Sequence, residues 1–199
     1  SEKIQAVEFP HHEGAYTRLV DENIQARIRF ADVLSGIAAK HGMLFTNNGN
    51  KTEVALGYAT LYGDVSGAVA PIADLYKVQV FDLARHLNER IYNREVIPEN
   101  IINGQTVPSA ELSEAQDVTK GLGDPIKYGY HDALLRQLIE YRYTTCDFIQ
   151  WYLDGVFLER LEWNHAEEFY SYFEHAQSWL DDLQWVENQV RINFFKRIQ

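Results

Sequence analysis

A short apolar run, Met43-Leu44-Phe45, stands between a helical repeat and a polar Asn-Gly loop, and this order constrains the fold more than any other part of the chain. Upstream, from Asp21, the residues Ile24, Ile28, Ala31, Leu34 and Ala38 recur on one face of a helix, and Asp21 suits its N-cap. Gly42 gives that helix its stop. The apolar run is bounded by Gly42 and Asn47, which suits a buried parallel strand covered on both faces. The loop Asn47-Asn48-Gly49-Asn50 then leads into a helix over residues 52–58. Helix, strand, loop and helix make half of an alternating unit, so the expected class is α/β with a parallel sheet.

Gly57, Gly63 and Gly67 punctuate the next segment and Pro71 closes it, after which residues 76–88 return to a helical stripe through Val80, Ala84 and Leu87. From Asn93 to Tyr130 the chain is rich in Pro, Gly, Asn and Ser. So long a connection is usually functional or mobile. Beyond it the pattern is helical over 131–142, 146–160, 165–180 and 182–197. Trp151, Trp163, Trp179 and Trp185 all fall in this last part, where aromatics at helical spacing serve packing more often than stacking of a ligand.

With 199 residues, 46% of them hydrophobic, the chain can bury one sizeable core and carry a helical appendage. It has no apolar run of bilayer length, and its first residues hold no signal-peptide stretch, so a cytoplasmic protein without a membrane span is expected. A net charge of -11 argues against non-specific nucleic-acid binding, which needs a basic face. It leaves room for an anionic small substrate, because a local cation cluster or Mg2+ offsets the global field. Cys146 is the only cysteine, which excludes an intrachain disulfide and a Cys-rich zinc site; its surroundings read as a helix start and a structural thiol.

Five segments carry side chains suited to chemistry. The loop from Thr46 to Glu53 offers the amides of Asn47, Asn48 and Asn50 at what the pattern makes the carboxyl end of a strand, where open α/β sheets bind ligands. Glu53 also has a structural reading, since an acid in a first helical turn complements the dipole and completes a cap. Lys77, six residues after Pro71, opens a helix; a cation there opposes the dipole, which favours a ligand role. In Glu22-Asn23-Ile24-Gln25-Ala26-Arg27, Arg27 lies one turn from Asn23, so the two share either a cleft or a solvated face. Ser109, in Pro108-Ser109-Ala110-Glu111-Leu112, has the form of an N-cap. Lys196 and Arg197 end a helix, where cations complement the dipole. His11-His12-Glu13 are adjacent and do not converge on one ion, and His131, His165 and His175 lack ligand-like spacing.

Taken together, the stretch TNNGNKTEVALGYATLYGDVSGAVAPIADLYK (46–77), the run at 22–27, the run at 108–112 and the terminal Lys-Arg pair resemble NAD synthetases, most closely the glutamine-dependent, two-domain kind. The resemblance implies a partial adenine nucleotide α-hydrolase-like domain with a Rossmann-like parallel sheet over residues 1–130, followed by a helical C-terminal part of the same domain over 131–199. It implies that Glu53 binds Mg2+ or the dinucleotide, that either Asn48 or Thr46 contacts ATP, and that Lys77 and Ser109 contact ATP. It further implies that Asn23, Arg27 and Lys196 take the deamido dinucleotide. Leu61 and Ala68 stand where the ammonia-dependent enzymes have a lysine and an aspartate, which fits the other branch better.

The implied reaction is ATP-dependent amidation of nicotinic acid adenine dinucleotide to NAD through an adenylate, with Mg2+ and with ammonia drawn from glutamine by an N-terminal glutaminase domain, in a homodimer or larger assembly. Such enzymes grip pyrophosphate with a Ser-Gly-Gly loop, and no Gly-Gly pair occurs in this sequence. The expectation is therefore a piece of an enzyme that alone binds ATP poorly, does not turn over, and presents an open sheet edge. Two other readings compete: a related ATP-pyrophosphatase ligase of the GMP synthetase type, and a non-catalytic helical dimerisation fragment. The acidic charge and single cysteine count against a tRNA-thiolating enzyme.

Overall fold

The computed structural model describes residues 18–103 and 125–197. Ser109, His11, His12, Glu13 and most of the Asn93–Tyr130 connection lie outside them. Helix α1 (Arg18–Arg27), a π-helical stretch (Ile28–Leu34) and α2 (Ser35–His41) run on without a break, since the joining residues Arg27 and Leu34 keep helical dihedrals. The helix is already formed at Arg18, so Asp21 lies in its first turn and complements the dipole instead of capping. Gly42 ends α2 as expected, in the left-handed conformation at φ 62°.

The expected strand is not formed among the described residues. Met43-Leu44-Phe45 leads into a single parallel bridge, Thr46 with Val69, flanked by the bonds Asn47 N–H to Val69 O (2.8 Å) and Ala68 N–H to Phe45 O (3.0 Å). The reason is coverage: Met43 is 63% and Leu44 78% exposed, so the run lacks the packed faces that a buried parallel strand requires.

Helix α3 (Lys51–Leu56) is capped by Asn50, whose side-chain oxygen accepts the Glu53 N–H at 3.0 Å. Helix α4 (Lys77–His86) continues into a π-helical stretch (Leu87–Ile91), and α5 (Glu99–Ile102) follows. The C-terminal part holds α6 (Tyr128–Ile139), α7 (Thr145–Leu153), α8 (Phe157–Arg160), α9 (Ala166–Tyr172), α10 (Ala176–Ile192) and a closing 3-10 turn (Phe194–Arg197). Two helices expected to run through are broken. Gly155, at φ 72°, separates α7 from α8, and the extended backbone at Phe173 and His175 separates α9 from α10.

These helices enclose the core. Tyr130, Leu134 and Leu135 of α6 pack against Trp179, Leu183 and Val186 of α10, with Phe148, Phe157 and Leu161 beside them. Each such side chain contributes about 1.5–3 kcal/mol by leaving water. Trp179 stacks on Tyr152 (4.4 Å between centroids) and donates its indole N–H to the Tyr130 hydroxyl. The tryptophans are packing residues, as their spacing suggested. Cys146, by contrast, is exposed on the first turn of α7 and is not packed as a structural thiol.

Helix α6 also buries the polar side chains of His131, Asp132 and Gln137, and each of these has a partner. His131 accepts the Lys127 N–H at Nδ1, so its Nε2 carries the proton that meets Asp182 (3.1 Å). Burial pushes His131 down toward the neutral form. Asp182 is raised by burial, but its bonds to His131 and Lys127 outweigh that and hold it below the usual carboxylate range. The Gln137 amide donates to the Arg160 carbonyl. These ties fix α6 against α10 and α8.

Candidate functional site

The left-handed turn at Gly57 (φ 87°) leaves the last carbonyls of α3 without helical partners, and the closing turn supplies them. Asn193 Nδ2 donates to Leu56 O (3.3 Å), Lys196 Nζ to Gly57 O (2.7 Å) and Arg197 Nη1 to Ala55 O (3.4 Å). Two cations at a helix C-terminus also complement its dipole. This local need brings the far end of the chain back onto the segment 56–64.

A cavity of about 500 Å³ opens where that end meets α1. Asn23, Tyr58, Thr60, Asp64, Asn193 and Lys196 all face it. Asn23 is held at both ends of its amide: Nδ2 donates to Leu19 O (2.9 Å) and Oδ1 accepts the Thr60 hydroxyl (3.0 Å). Asp64 accepts the Thr60 N–H at 2.8 Å and so closes the Tyr-Gly-Asp turn. Burial raises the Asp64 carboxyl, and the bonds from Thr60 and the nearby Lys196 charge pull it back. Burial lowers the Lys196 ammonium, with Asp64 acting against that and Arg27 adding to it. A half-buried ammonium in a cavity of this size suits an anionic small-molecule ligand. Arg27 lies one turn further along, with Nε donating to Leu61 O (3.1 Å).

A second group lies apart from this cavity's lining. Lys77 Nζ pairs with Glu53 Oε1 at 3.0 Å, and the ammonium also lies 5.7 Å from the Phe81 ring centroid and 5.4 Å from that of Tyr128. Such a pair is worth on the order of 1 kcal/mol when partly solvated. A micromolar ligand brings about 8 kcal/mol, so a polyphosphate can part the two. The Thr46 hydroxyl bonds Asn48 Oδ1 (2.9 Å), which leaves these two residues bonded to each other on the bridge loop. Among the described residues no group of three or more His, Cys, Asp or Glu is arranged to hold a metal ion. Glu53 supplies one carboxylate, which fits Mg2+ held chiefly by phosphate oxygens and water.

The structure thus gathers Asn23 with Lys196, and Glu53 with Lys77. Thr60 and Asp64 were not anticipated as lining residues, although the Tyr-Gly-Asp turn that carries them is plain in the sequence.

Residues 2–168 match the family model for NAD synthase. The chain is 40% identical over 139 residues to an NH(3)-dependent NAD(+) synthetase of Chlorobium phaeobacteroides (strain BS1), a match covering 70% of this chain and 46% of that protein. It is 42% identical over 131 residues to a glutamine-dependent NAD(+) synthetase of Synechocystis sp., covering 66% of this chain and 22% of that protein. The matched region spans less than half the length of either relative. Among solved structures, an NH3-dependent NAD synthetase from Campylobacter jejuni aligns over 98% of this chain and 57% of its own, with a TM-score of 0.53 and 22% identity, which bears on the fold alone. The chain belongs to the NAD synthase family.

Proposed function

We propose that this chain forms the dinucleotide-binding side of an NAD synthetase, acting in the ATP-dependent amidation of nicotinic acid adenine dinucleotide. The observation that carries the reading is the cavity that unites Asn23 of α1 with Lys196 of the closing turn, two residues far apart in sequence. Asn23, fixed by Leu19 and Thr60, orients the dinucleotide, and the half-buried Lys196 offsets its negative charge. Arg27 adds a second cation near that charge.

ATP approaches from the Glu53–Lys77 pair, with either Thr46 or Asn48, and Ser109, as further contacts. Lys77 leaves Glu53 for the triphosphate, and the freed carboxylate would supply one ligand to Mg2+, which would there offset charge on the phosphates. The substrate carboxylate attacks the α-phosphorus, pyrophosphate leaves, and ammonia then displaces AMP to give the amide. Ammonia drawn from glutamine by an N-terminal glutaminase domain, assembly as a homodimer or larger, and a cytoplasmic setting complete the proposal. So does the organisation of residues 1–130 and 131–199 as two parts of one α-hydrolase-like domain with its parallel sheet.

Calorimetric titration with nicotinic acid adenine dinucleotide, with and without Mg-ATP, tests this. Saturable binding that weakens about tenfold or more in Asn23→Ala and in Lys196→Ala is the expected result. A folded protein whose affinity neither substitution changes would place the dinucleotide elsewhere.

A further inference from the structure

Asp132 belongs to none of the segments whose pattern suggested a ligand contact, yet its carboxylate is where the two helices on the ATP side meet. It lies on α6 and is 6% exposed. Oδ1 accepts the Thr52 hydroxyl at 2.6 Å, and Oδ2 accepts the Val78 N–H at 2.8 Å. The same Thr52 oxygen accepts the Lys77 N–H at 3.0 Å. Thr52 immediately precedes Glu53, and Val78 immediately follows Lys77. Each carboxylate oxygen is thus anchored beside one member of the ion pair.

The arrangement answers a local need of α4. The first N–H groups of a helix have no partner inside it. Here Lys77 and Val78 find theirs on Thr52 and Asp132, outside the helix. One turn before Asp132 on the same helix, Tyr128 presents its ring to the Lys77 ammonium. Helix α6 therefore holds Lys77 twice, by its backbone through Asp132 and by its head group through Tyr128. The charged and titratable groups facing the Asp132 carboxylate are Lys77, Glu53 and the Tyr76 phenol.

We propose that Asp132 is a positioning residue: its two oxygens clamp α3 to α4 and so set Lys77 beside Glu53, ready for the nucleotide. This rests on the reading of Lys77 as a triphosphate contact and deepens it. Lysine is a point charge on a flexible stem, and its direction is only as good as the backbone that carries it. A displacement of about 1 Å at such a group is enough to cost a large factor in function.

The test is Mg-ATP affinity of the full-length protein carrying this chain, measured for Asp132→Asn, Asp132→Ala and Thr52→Val, each with and without Lys77→Ala. Asp132→Ala is expected to weaken Mg-ATP about tenfold or more, and Asp132→Asn, which keeps an acceptor for Val78, about threefold. Dinucleotide affinity should stay within about twofold in both. In the Lys77→Ala background the Asp132 substitutions should cost nothing further, because the residue acts through that lysine. Effects that multiply in the double variants, or that fall equally on both ligands, overturn the proposal. If Asp132→Ala does not fold, Asp132→Asn and Thr52→Val decide on the same criteria. If the unsubstituted protein binds no Mg-ATP, the nucleotide reading fails. Amide exchange then tests the clamp by itself. Several-fold faster exchange at Lys77 and Val78 in Asp132→Asn, with Leu134 and Leu135 unchanged, upholds it, and equal protection overturns it.

Discussion

Burial pushes the Asp132 carboxyl up to about 6, and the bonds from Thr52 and Val78 with the Lys77 charge recover only part of that shift. An acid raised above its unfolded value of 3.8 holds its proton more tightly when folded, so its contribution to stability is complete below that value and is lost as pH rises through about 6. The chain should therefore lose up to about 3 kcal/mol relative to Asp132→Asn between roughly pH 4 and pH 7. Paired urea melts at the two pH values check this, and parallel pH dependence would count against it. Asp132 was not legible in the sequence, where one acid on an amphipathic helix looks like part of its wet face. What buries it are partners 80 and 54 residues away. Asn23 and Lys196 were legible, because each lies in a run of several specific neighbours. Thr60 and Asp64 were half-legible: their turn was plain, but not the cavity it faces, which depends on the return of the closing turn.

At the scale of elements, the pattern read helices well where the apolar face was continuous and failed where the core took over. Phe173 is buried at 4% and leaves helical geometry to reach the core, with no glycine or proline to mark the break. Gly155 did mark one, since a glycine just beyond a helix end is a common left-handed cap. The strand failed for another reason, as alternation and apolarity do not reveal whether a neighbour is present. Gly57 and Gly155 make a controlled pair of tests. Both have positive φ, but a Cβ on Gly57 meets the Asn193 side chain at 2.2 Å, whereas one on Gly155 meets nothing within 4 Å. Gly155→Ala should cost about 1 kcal/mol from backbone strain alone. Gly57→Ala should cost roughly 1–3 kcal/mol more, since Asn193 must move and release the Leu56 carbonyl. Urea melts compare the two directly, and equal losses would mean the closing turn contributes little at this junction.

At the scale of the molecule, the isolated parallel bridge among the described residues is an open feature, with Met43, Leu44 and Val69 all more than half exposed around it. Unpaired strand edges beside apolar side chains template pairing with another chain. Concentration-dependent association is the expected behaviour, and Leu44→Glu should reduce it while changing stability by no more than about 0.5 kcal/mol. Sedimentation velocity over a dilution series decides, and undiminished association in the variant would move the contact elsewhere. Lys196 reaches back across 139 residues to the Gly57 carbonyl, and that span has a bearing on how the protein is made. At ribosomal speed the second residue follows the first by roughly 7–28 s. For that interval the nascent polypeptide holds Asn23 and the Tyr-Gly-Asp turn facing an open trough, and the cavity closes only once Asn193 and Lys196 have been added.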